Sequence, residues 1–412
     1  MIRSKKNVAI VTPFYPPAII SGSSLLNKQL AELFTDNGYN VTVITSDSYQ
    51  IRYLRDLLSK RNIKSTETLI NKIKVIRLKH HRFLTGFAYV FSKYLYFLLP
   101  KNLRSKIEIM HYGPYFDNKD LLDKLDNGNF DYIYSSTLPL FLNLQLAEII
   151  HRLKKRPKFI FRPEFHAELP VFYNRNLGNI VNKADLLHIY FPSEKKKLIE
   201  TFKISKNKFF LQPPVIKIET LNIKEKAVIQ FKKKHKLAGK KIILFAGTRN
   251  YHKGALFLLR TVQKLFEEDN SFVLLSIGLD SLEWRLAKLF AKKQALIDLG
   301  YVNEKIKQIS FQVCDIFCLP SVSESFGLVY LEAWLNKKPV IGVNIPTSRE
   351  LIENNHGGKC VEFGNIAELK KVIYSLINNR ALLRNLAENG YQTAMKNFSF
   401  KNVSNNLEMF GQ

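Results

Sequence analysis

Cysteine and acidic side chains are both scarce in this sequence, and the scarcity of cysteine closes off two classes of protein. Three cysteines cannot pair completely; Cys314 and Cys318 lie in an apolar run and Cys360 stands alone. Such spacing builds neither a disulfide framework nor a zinc site, and it fits a reducing compartment. No Asp-x-Asp suited to a metal-held diphosphate follows a predicted strand, so no metal is expected. A Walker loop and a dinucleotide glycine fingerprint are also missing. His166-Ala167-Glu168 lacks the Pro-Cys-x-x-Cys partner that a zinc deaminase needs. Lys5 and Lys6 precede an apolar stretch, but Pro13, Pro16 and Pro17 break it and no cleavage pattern follows, so a cytoplasmic chain is expected.

The shortage of acid leaves a large positive balance. Sixty-three Lys and Arg against 35 Asp and Glu give a formal charge of +28, spread evenly over both halves. A field of that sign favours polyanions: nucleic acid, anionic lipid headgroups or phosphorylated substrates. Lysine clusters at 195–197 and 232–236 would suit a basic nucleic-acid-binding protein, but no nucleic-acid module is present and such runs read as solvated faces. No nucleic-acid partner is expected.

What the chain does have is 46% apolar residues over 412 positions, enough for two or three domains that each bury a core. Short apolar runs alternate with helical patterns, the signature of parallel sheets covered by helices. Val8–Thr12, Val41–Thr45, Tyr132–Ser135, Lys158–Phe161 and Leu186–Tyr190 read as strands of a first sheet, with a helix over Leu25–Asn37. A lysine-rich stretch containing Pro213-Pro214 then separates the halves. The pattern restarts with strands at Ile242–Ala246, Phe272–Ile277, Ala295–Tyr301, Ile316–Leu319 and Pro339–Val343. Helices are expected at Ala255–Glu268, Leu282–Lys292, Phe326–Leu335, Ile366–Asn378 and Ala381–Lys396. This predicts a first domain over 1–217, a linker over 218–238, and a second domain over 239–395. A C-terminal helix over 396–412 is expected to pack back on the first domain. Two such doubly wound α/β domains imply a cleft, with ligands at the carboxyl ends of the strands.

The most informative segment is Ser321–Asn336, SVSESFGLVYLEAWLN, which follows a strand and opens a helix. Glu324 sits in the loop and Glu332 on a helix that is otherwise apolar all round. A buried carboxylate is costly unless it is paired or hydrogen-bonded, and sugar hydroxyls would supply partners. The alternative is an ordinary buried glutamate paired with Lys or Arg. The N–H groups of Phe326, Gly327 and Leu328 open the helix and can receive an anion.

This segment resembles the glutamate-pair motif of retaining family 4 glycosyltransferases, which have the GT-B architecture of two Rossmann-like domains facing across a cleft. The resemblance runs over roughly residues 7–395. VTPFYPPAIISGSSLLNKQLAELFTDNGYNVTVIT is similar to the family's opening strand, glycine loop and helix; ADLLHIYFPSEKKKLIETFKISKNKFFLQPP to its end-of-first-domain segment; and FAGTRNYHKGALFLL to the start of its second domain. The resemblance implies that Glu332 binds the ribose, that Glu324 contacts the donor sugar near the reacting carbon, and that Lys253 neutralises the leaving diphosphate. It also implies that Gly22 approaches the donor phosphate and that His166 faces the donor sugar and acceptor. There are departures. Thr248 stands where the family usually has Arg, with Arg249 one place later as a possible substitute at the diphosphate. Ser21 replaces one glycine of the first loop, the segment before Glu350 lacks a glycine pair, and Asn336 replaces a helix-ending glycine.

Residues 72–106 carry nine Lys or Arg and no acid, around the aromatic run Phe83–Leu99. Seventeen residues containing Lys93 fall short of the ~20 apolar residues of a membrane span. Two readings stay open here: a buried helix pair, or an interfacial segment on an anionic inner membrane surface. The function implied is retaining, metal-independent transfer of a hexose from a nucleoside diphosphate sugar, with UDP the expected carrier. The acceptor would be a hydroxyl of a glycan or lipid-linked acceptor in cell-surface polysaccharide or lipopolysaccharide synthesis. No cofactor is expected beyond the donor. A nucleotide-sugar epimerase of the same fold is the alternative.

Overall fold

The computed structural model describes residues 5–18, 22–50, 54, 62–94, 100–110, 112–214 and 223–399. The chain divides into two compact α/β units, with the boundary between Lys217 and Ile218.

The first unit is an eight-stranded sheet. Its strands are β1 (Asn7–Val11), β2 (Asn40–Ser46), β3 (Glu67–Ile70), β4 (Ile73–Leu78), β5 (Tyr132–Ser136), β6 (Lys158–Arg162), β7 (Leu186–Ile189) and β8 (Phe209–Leu211). They lie in the order β3-β4-β2-β1-β5-β6-β7-β8, and β3 is the one antiparallel member, paired with β4. The central strands β1 and β5 are almost wholly buried because helices cover both faces. The described helices are α1 (Gly22–Asp36), α2 (Arg82–Tyr94), α3 (Lys101–Met110), α4 (Asn118–Asn127), α5 (Phe141–Ile149), α6 (Arg175–Lys183) and α7 (Pro192–Phe202). Ile133, Phe159, Phe161, Leu142, Leu146 and Leu187 centre the core.

The basic aromatic stretch enters this unit as β4 and then the packed pair α2 and α3. Ala88 and Ile107 meet between the two helices. Phe83, Phe87, Val90 and Tyr94 are exposed along one stripe of α2. One face of α2 thus forms the packed helix pair, while the opposite face is exposed. Residues 95–99 of the expected apolar run lie outside the described residues. Among the described residues, no helix is long and apolar enough to cross a membrane.

The second unit begins with α8 (Glu225–Lys234), inside the 218–238 stretch expected to be linker. Its lysines face water while Phe231 is buried, and the helix packs against α11 (Glu304–Val313). One buried aromatic suffices to dock a helix whose composition otherwise reads as solvated linker. Six parallel strands follow: β9 (Lys241–Ala246), β10 (Phe272–Ile277), β11 (Leu296–Gly300), β12 (Ile316–Cys318), β13 (Val340–Val343) and β14 (Gly358–Val361), in the order β11-β10-β9-β12-β13-β14. The remaining helices are α9 (Ala255–Glu268), α10 (Leu282–Ala287), α12 (Leu328–Leu335), α13 (Ile366–Asn378) and α14 (Arg380–Asn397). The helix expected over Leu282–Lys292 is shorter, with a 3-10 turn at Lys288–Phe290 after α10. The C-terminal helix expected over 396–412 starts within the last turn of α14, and residues 400–412 lie outside the described residues. α12 is held by Trp334, which is fully buried and donates through Nε1 to the Gly357 carbonyl at 2.9 Å.

Candidate active site

In an open parallel sheet, the loops diverge where the strand order reverses, and a crevice opens at the carboxyl ends there. In the second unit this happens between β9 and β12: the chain leaves β9 toward β10 and β11, then returns to β12 on the other side. The loops after these two strands are 247–254 and 319–327, the two segments singled out in the sequence. They are stitched together. The Val322 N–H donates to the His252 carbonyl at 2.8 Å. Gly254 adopts φ +71, and a Cβ there would stand 2.0 Å from the Pro320 carbonyl oxygen. Only glycine permits that approach.

The stitching brings Lys253 and Glu324 into contact. Lys253 Nζ donates to Glu324 Oε1, and Ser321 Oγ donates to the same oxygen at 2.9 Å. The Glu324 side chain is nearly buried, whereas that of Lys253 is about one-third exposed. Thr347 Oγ1 donates to the Glu324 main-chain carbonyl at 2.8 Å, tying in the loop after β13. Gly327, at φ +83, turns the chain into α12. The first N–H groups of a helix have no partner within it and carry the positive end of its dipole. Phe326 is buried against Phe398, so the position where the helix opens is fixed by packing.

Glu332 faces a different neighbour from the one its apolar sequence context suggests. Its Oε1 accepts from Lys307 Nζ at 3.0 Å. Lys307 lies on α11 and also reaches Glu304 at 3.0 Å. The greasy residues around Glu332 in sequence belong to the other faces of α12, so a lysine 25 positions away can pair with it. Yet Glu332 Oε2 is buried and has no hydrogen-bond partner. Burial raises the Glu332 pKa, and Lys307 opposes that rise. Burial pulls the Lys307 pKa down, but Glu332 and Glu304 carry it above its ordinary value. The arrangement is a partly satisfied carboxylate with one acceptor oxygen to spare, which is costly in the absence of a ligand.

Arg249 does not reach toward an anion. Its guanidinium is fully buried, bonded to Asp298, Asp280 and the Gly278 carbonyl, and it lies over Trp284. Two aspartates 31 and 49 positions away already neutralise it. The expectation that Arg249 replaces the missing arginine at a diphosphate is corrected by these contacts. Lys307 and Thr347 were not singled out in the sequence, because the Glu332 and Glu324 atoms that they bond lie on other elements.

In the first unit the strand order reverses between β1 and β5. Gly22 opens α1 just beyond β1; residues 19–21 of its loop lie outside the described residues. His166 stands in the loop after β6, half-buried, with its ring 5.1 Å from that of Phe172. Beneath these positions is a buried polar network that sequence reasoning missed. Arg162, the last residue of β6, donates to Glu164 at 3.0 Å, to Tyr134 Oη at 3.3 Å and to Asn27 Oδ1 at 2.8 Å. Thr137 Oγ1 donates to the second Glu164 oxygen at 2.7 Å, and Asn27 Nδ2 to Thr12 and Ser136 at 2.9 Å. Burial would lower the Arg162 pKa, but Tyr134, Tyr190 and Glu164 carry it upward. Burial and Arg162 lower that of His188 to about 3, leaving a neutral ring between Tyr134 Oη and the Gln212 carbonyl. Glu194 accepts the N–H groups of Phe165 and Tyr190, both at 3.0 Å, which fixes the backbone next to His166. The polar ends of β5 and β6 were the available signal.

Comparison with known proteins adds to this geometry. Residues 228–393 match the family model described as "Glycosyl transferases group 1". The chain is 22% identical to an uncharacterised glycosyltransferase of Methanocaldococcus jannaschii over 96% of this chain and 95% of that one. It is 28% identical to the N,N'-diacetylbacillosaminyl-diphospho-undecaprenol alpha-1,3-N-acetylgalactosaminyltransferase of Campylobacter jejuni, over 67% of this chain and 65% of that one. An Anabaena protein crystallised with UDP and glucose superposes with a TM-score of 0.70 at 15% identity, covering 98% of both chains. The two-domain GT-B fold is therefore shared.

Proposed function

From the match of residues 228–393 to the glycosyl transferases group 1 model, we propose that this glycosyltransferase moves a hexose from a UDP-sugar to a lipid-linked glycan with retention of configuration. The observation that carries the reading is the contact of Lys253 with Glu324 at the switch point, where α12, the helix that bears the spare Glu332 oxygen, opens. In this reading Glu332 Oε2 accepts a ribose hydroxyl. The diphosphate lies on the first turn of α12 and draws Lys253 away from Glu324. Glu324 then faces the sugar near its reacting carbon. No metal ion is assigned a part.

As the bond from the anomeric carbon to the diphosphate oxygen breaks, Lys253 and the helix N–H groups stabilise the developing charge. The acceptor oxygen bonds to the same face of the sugar, and its proton passes to the departing phosphate oxygen. His166, on the loop fixed by Glu194, orients the donor sugar and acceptor. The Campylobacter relative's name specifies a diphospho-undecaprenol glycan, and the Anabaena structure holds UDP; both support this choice of acceptor and donor classes. The exposed aromatic stripe of α2, with Lys93 and Arg82 on the same helix, is assigned to the inner membrane surface where such an acceptor lies.

The test is a panel of UDP-, GDP- and dTDP-sugars, read by thermal shift and by transfer to a polyprenyl-diphosphate sugar, with Glu324→Gln as control. A UDP-sugar should give a shift in both proteins and turnover only in the unaltered one. NMR of the product should show the donor's anomeric configuration. Absence of a shift with every sugar nucleotide would overturn the donor site.

A further inference from the structure

The second unit carries an apolar face that its own fold leaves uncovered. Leu282, Leu286, Leu289 and Phe290 follow helical spacing through α10 and the 3-10 turn after it. Leu282 and Leu289 are each 73% exposed and Phe290 is 86% exposed. The opposite side of the same segment is anchored: Trp284 is fully buried and donates through Nε1 to Asp298 at 3.2 Å. Glu283, the only acid between residues 282 and 293, accepts the Tyr251 N–H at 2.9 Å. The segment is therefore held firmly with its leucines pointing outward. Large contiguous apolar surface of this kind marks an interaction site.

We propose that this face docks on an anionic lipid bilayer. The charges around it select that occupant. Of the cations in this segment, Lys288 is paired with Asp280 and Asp298 and Lys292 with Glu267, whereas Arg285 reaches Asp280 only at 3.9 Å and Lys293 makes no ion pair among the described residues. Arg285 and Lys293 are exposed beside the leucines. An apolar stripe bordered by cations is the pattern of a segment that lies in the lipid headgroup region. A second copy of the chain is the poorer fit. A twofold contact through this patch would bring Arg285 and Lys293 of each copy together, between chains of formal charge +28. Lipid phosphates meet those cations with opposite sign. The contact is separate from that of α2, since it lies in the other unit, and it does not depend on the transfer reaction.

Flotation of the full chain with vesicles of phosphatidylcholine, alone or mixed with phosphatidylglycerol, tests this without any donor or acceptor. The Leu282→Glu, Leu289→Glu, Phe290→Glu triple variant should partition at least about tenfold less onto the mixed vesicles, with an unchanged thermal melt. A Phe83→Glu, Phe87→Glu variant, altering α2 alone, should retain the part of the binding that the triple variant loses. Arg285→Glu with Lys293→Glu should reduce the binding and flatten its salt dependence. Undiminished partitioning of the triple variant would overturn the proposal. So would a dimer, seen by sedimentation, that the same substitutions dissociate while lipid binding is unchanged.

Discussion

The two units place polar groups at equivalent points of equivalent sheets and treat them differently. At the β1/β5 switch point of the first unit, Arg162, Glu164, Asn27, Thr137 and Tyr134 bond one another in a closed network. At the β9/β12 switch point of the second, Glu332 keeps a buried oxygen without a partner and Lys253 is a partly exposed cation whose one acid also bonds Ser321. A closed network has little left to offer a ligand and instead fixes shape; an incomplete one gains on binding because a desolvated group finds its partner. On the proposed reading the first unit is a positioning frame, and the second is where a nucleotide's binding free energy would arise.

The sharpest way to break this comparison is Arg162→Ala. It strands Glu164 as a buried, uncompensated charge and removes donors from Tyr134 and Asn27. The expected loss is about 3–5 kcal/mol of stability, read by urea unfolding. A smaller loss than from Lys253→Ala would end the distinction between frame and site.

The next effect in size concerns pH. Burial raises the Glu194 carboxyl to about 7, against two backbone N–H groups that pull it down. A raised carboxyl contributes stability that is present below its unfolded value of about 4.5 and is lost as pH climbs through about 7. Unaltered protein should lose on the order of 3 kcal/mol relative to Glu194→Gln over that window, seen in unfolding at acid and at mildly alkaline pH. Equal slopes for both proteins would contradict it.

In the second unit the change should fall on rate rather than stability. Lys253→Ala is expected to lower turnover by about 10²-fold, since it removes a cation aimed at the leaving group, while its partial exposure keeps the melting temperature nearly constant. The mildest prediction is Lys307→Met. Glu304 and Lys307 are the charged groups facing Glu332 in an otherwise apolar setting. Without the lysine, burial and Glu304 act unopposed on the Glu332 pKa, which rises further. Donor affinity should fall by about tenfold and weaken further as pH is lowered toward neutrality, measured by calorimetry with UDP. A flat pH response would mean that Glu332 does not bind the donor as a carboxylate.

The same contrast explains what could be read from sequence. β9, α9 and β10 were legible because long apolar runs alternate with glycine and charge, and each element buries its apolar face. β8 and β14 are three and four residues long and carry no pattern of their own. Leu282–Lys292 has helical periodicity, yet its leucines find no core, and the α-helix stops at Ala287. Lys253 and Glu324 were singled out because each lies in a local segment of distinctive form, and the structure brings the two into contact. Arg249 was misplaced and Lys307 overlooked for one reason: a charge's partner is fixed by tertiary neighbours, and theirs are 25 to 49 positions distant. The Arg162 network was hidden in the same way, spanning four elements of the first sheet.

The contact between Gly254 and the Pro320 carbonyl has an engineering consequence. Because no methyl group fits there, the 247–254 loop and the 319–327 loop have one backbone geometry between them. Grafting either from another transferase would seat it against a mismatched surface. Reprogramming the sugar preference of this scaffold thus calls for exchanging residues 250–254 and 319–327 as a single cassette.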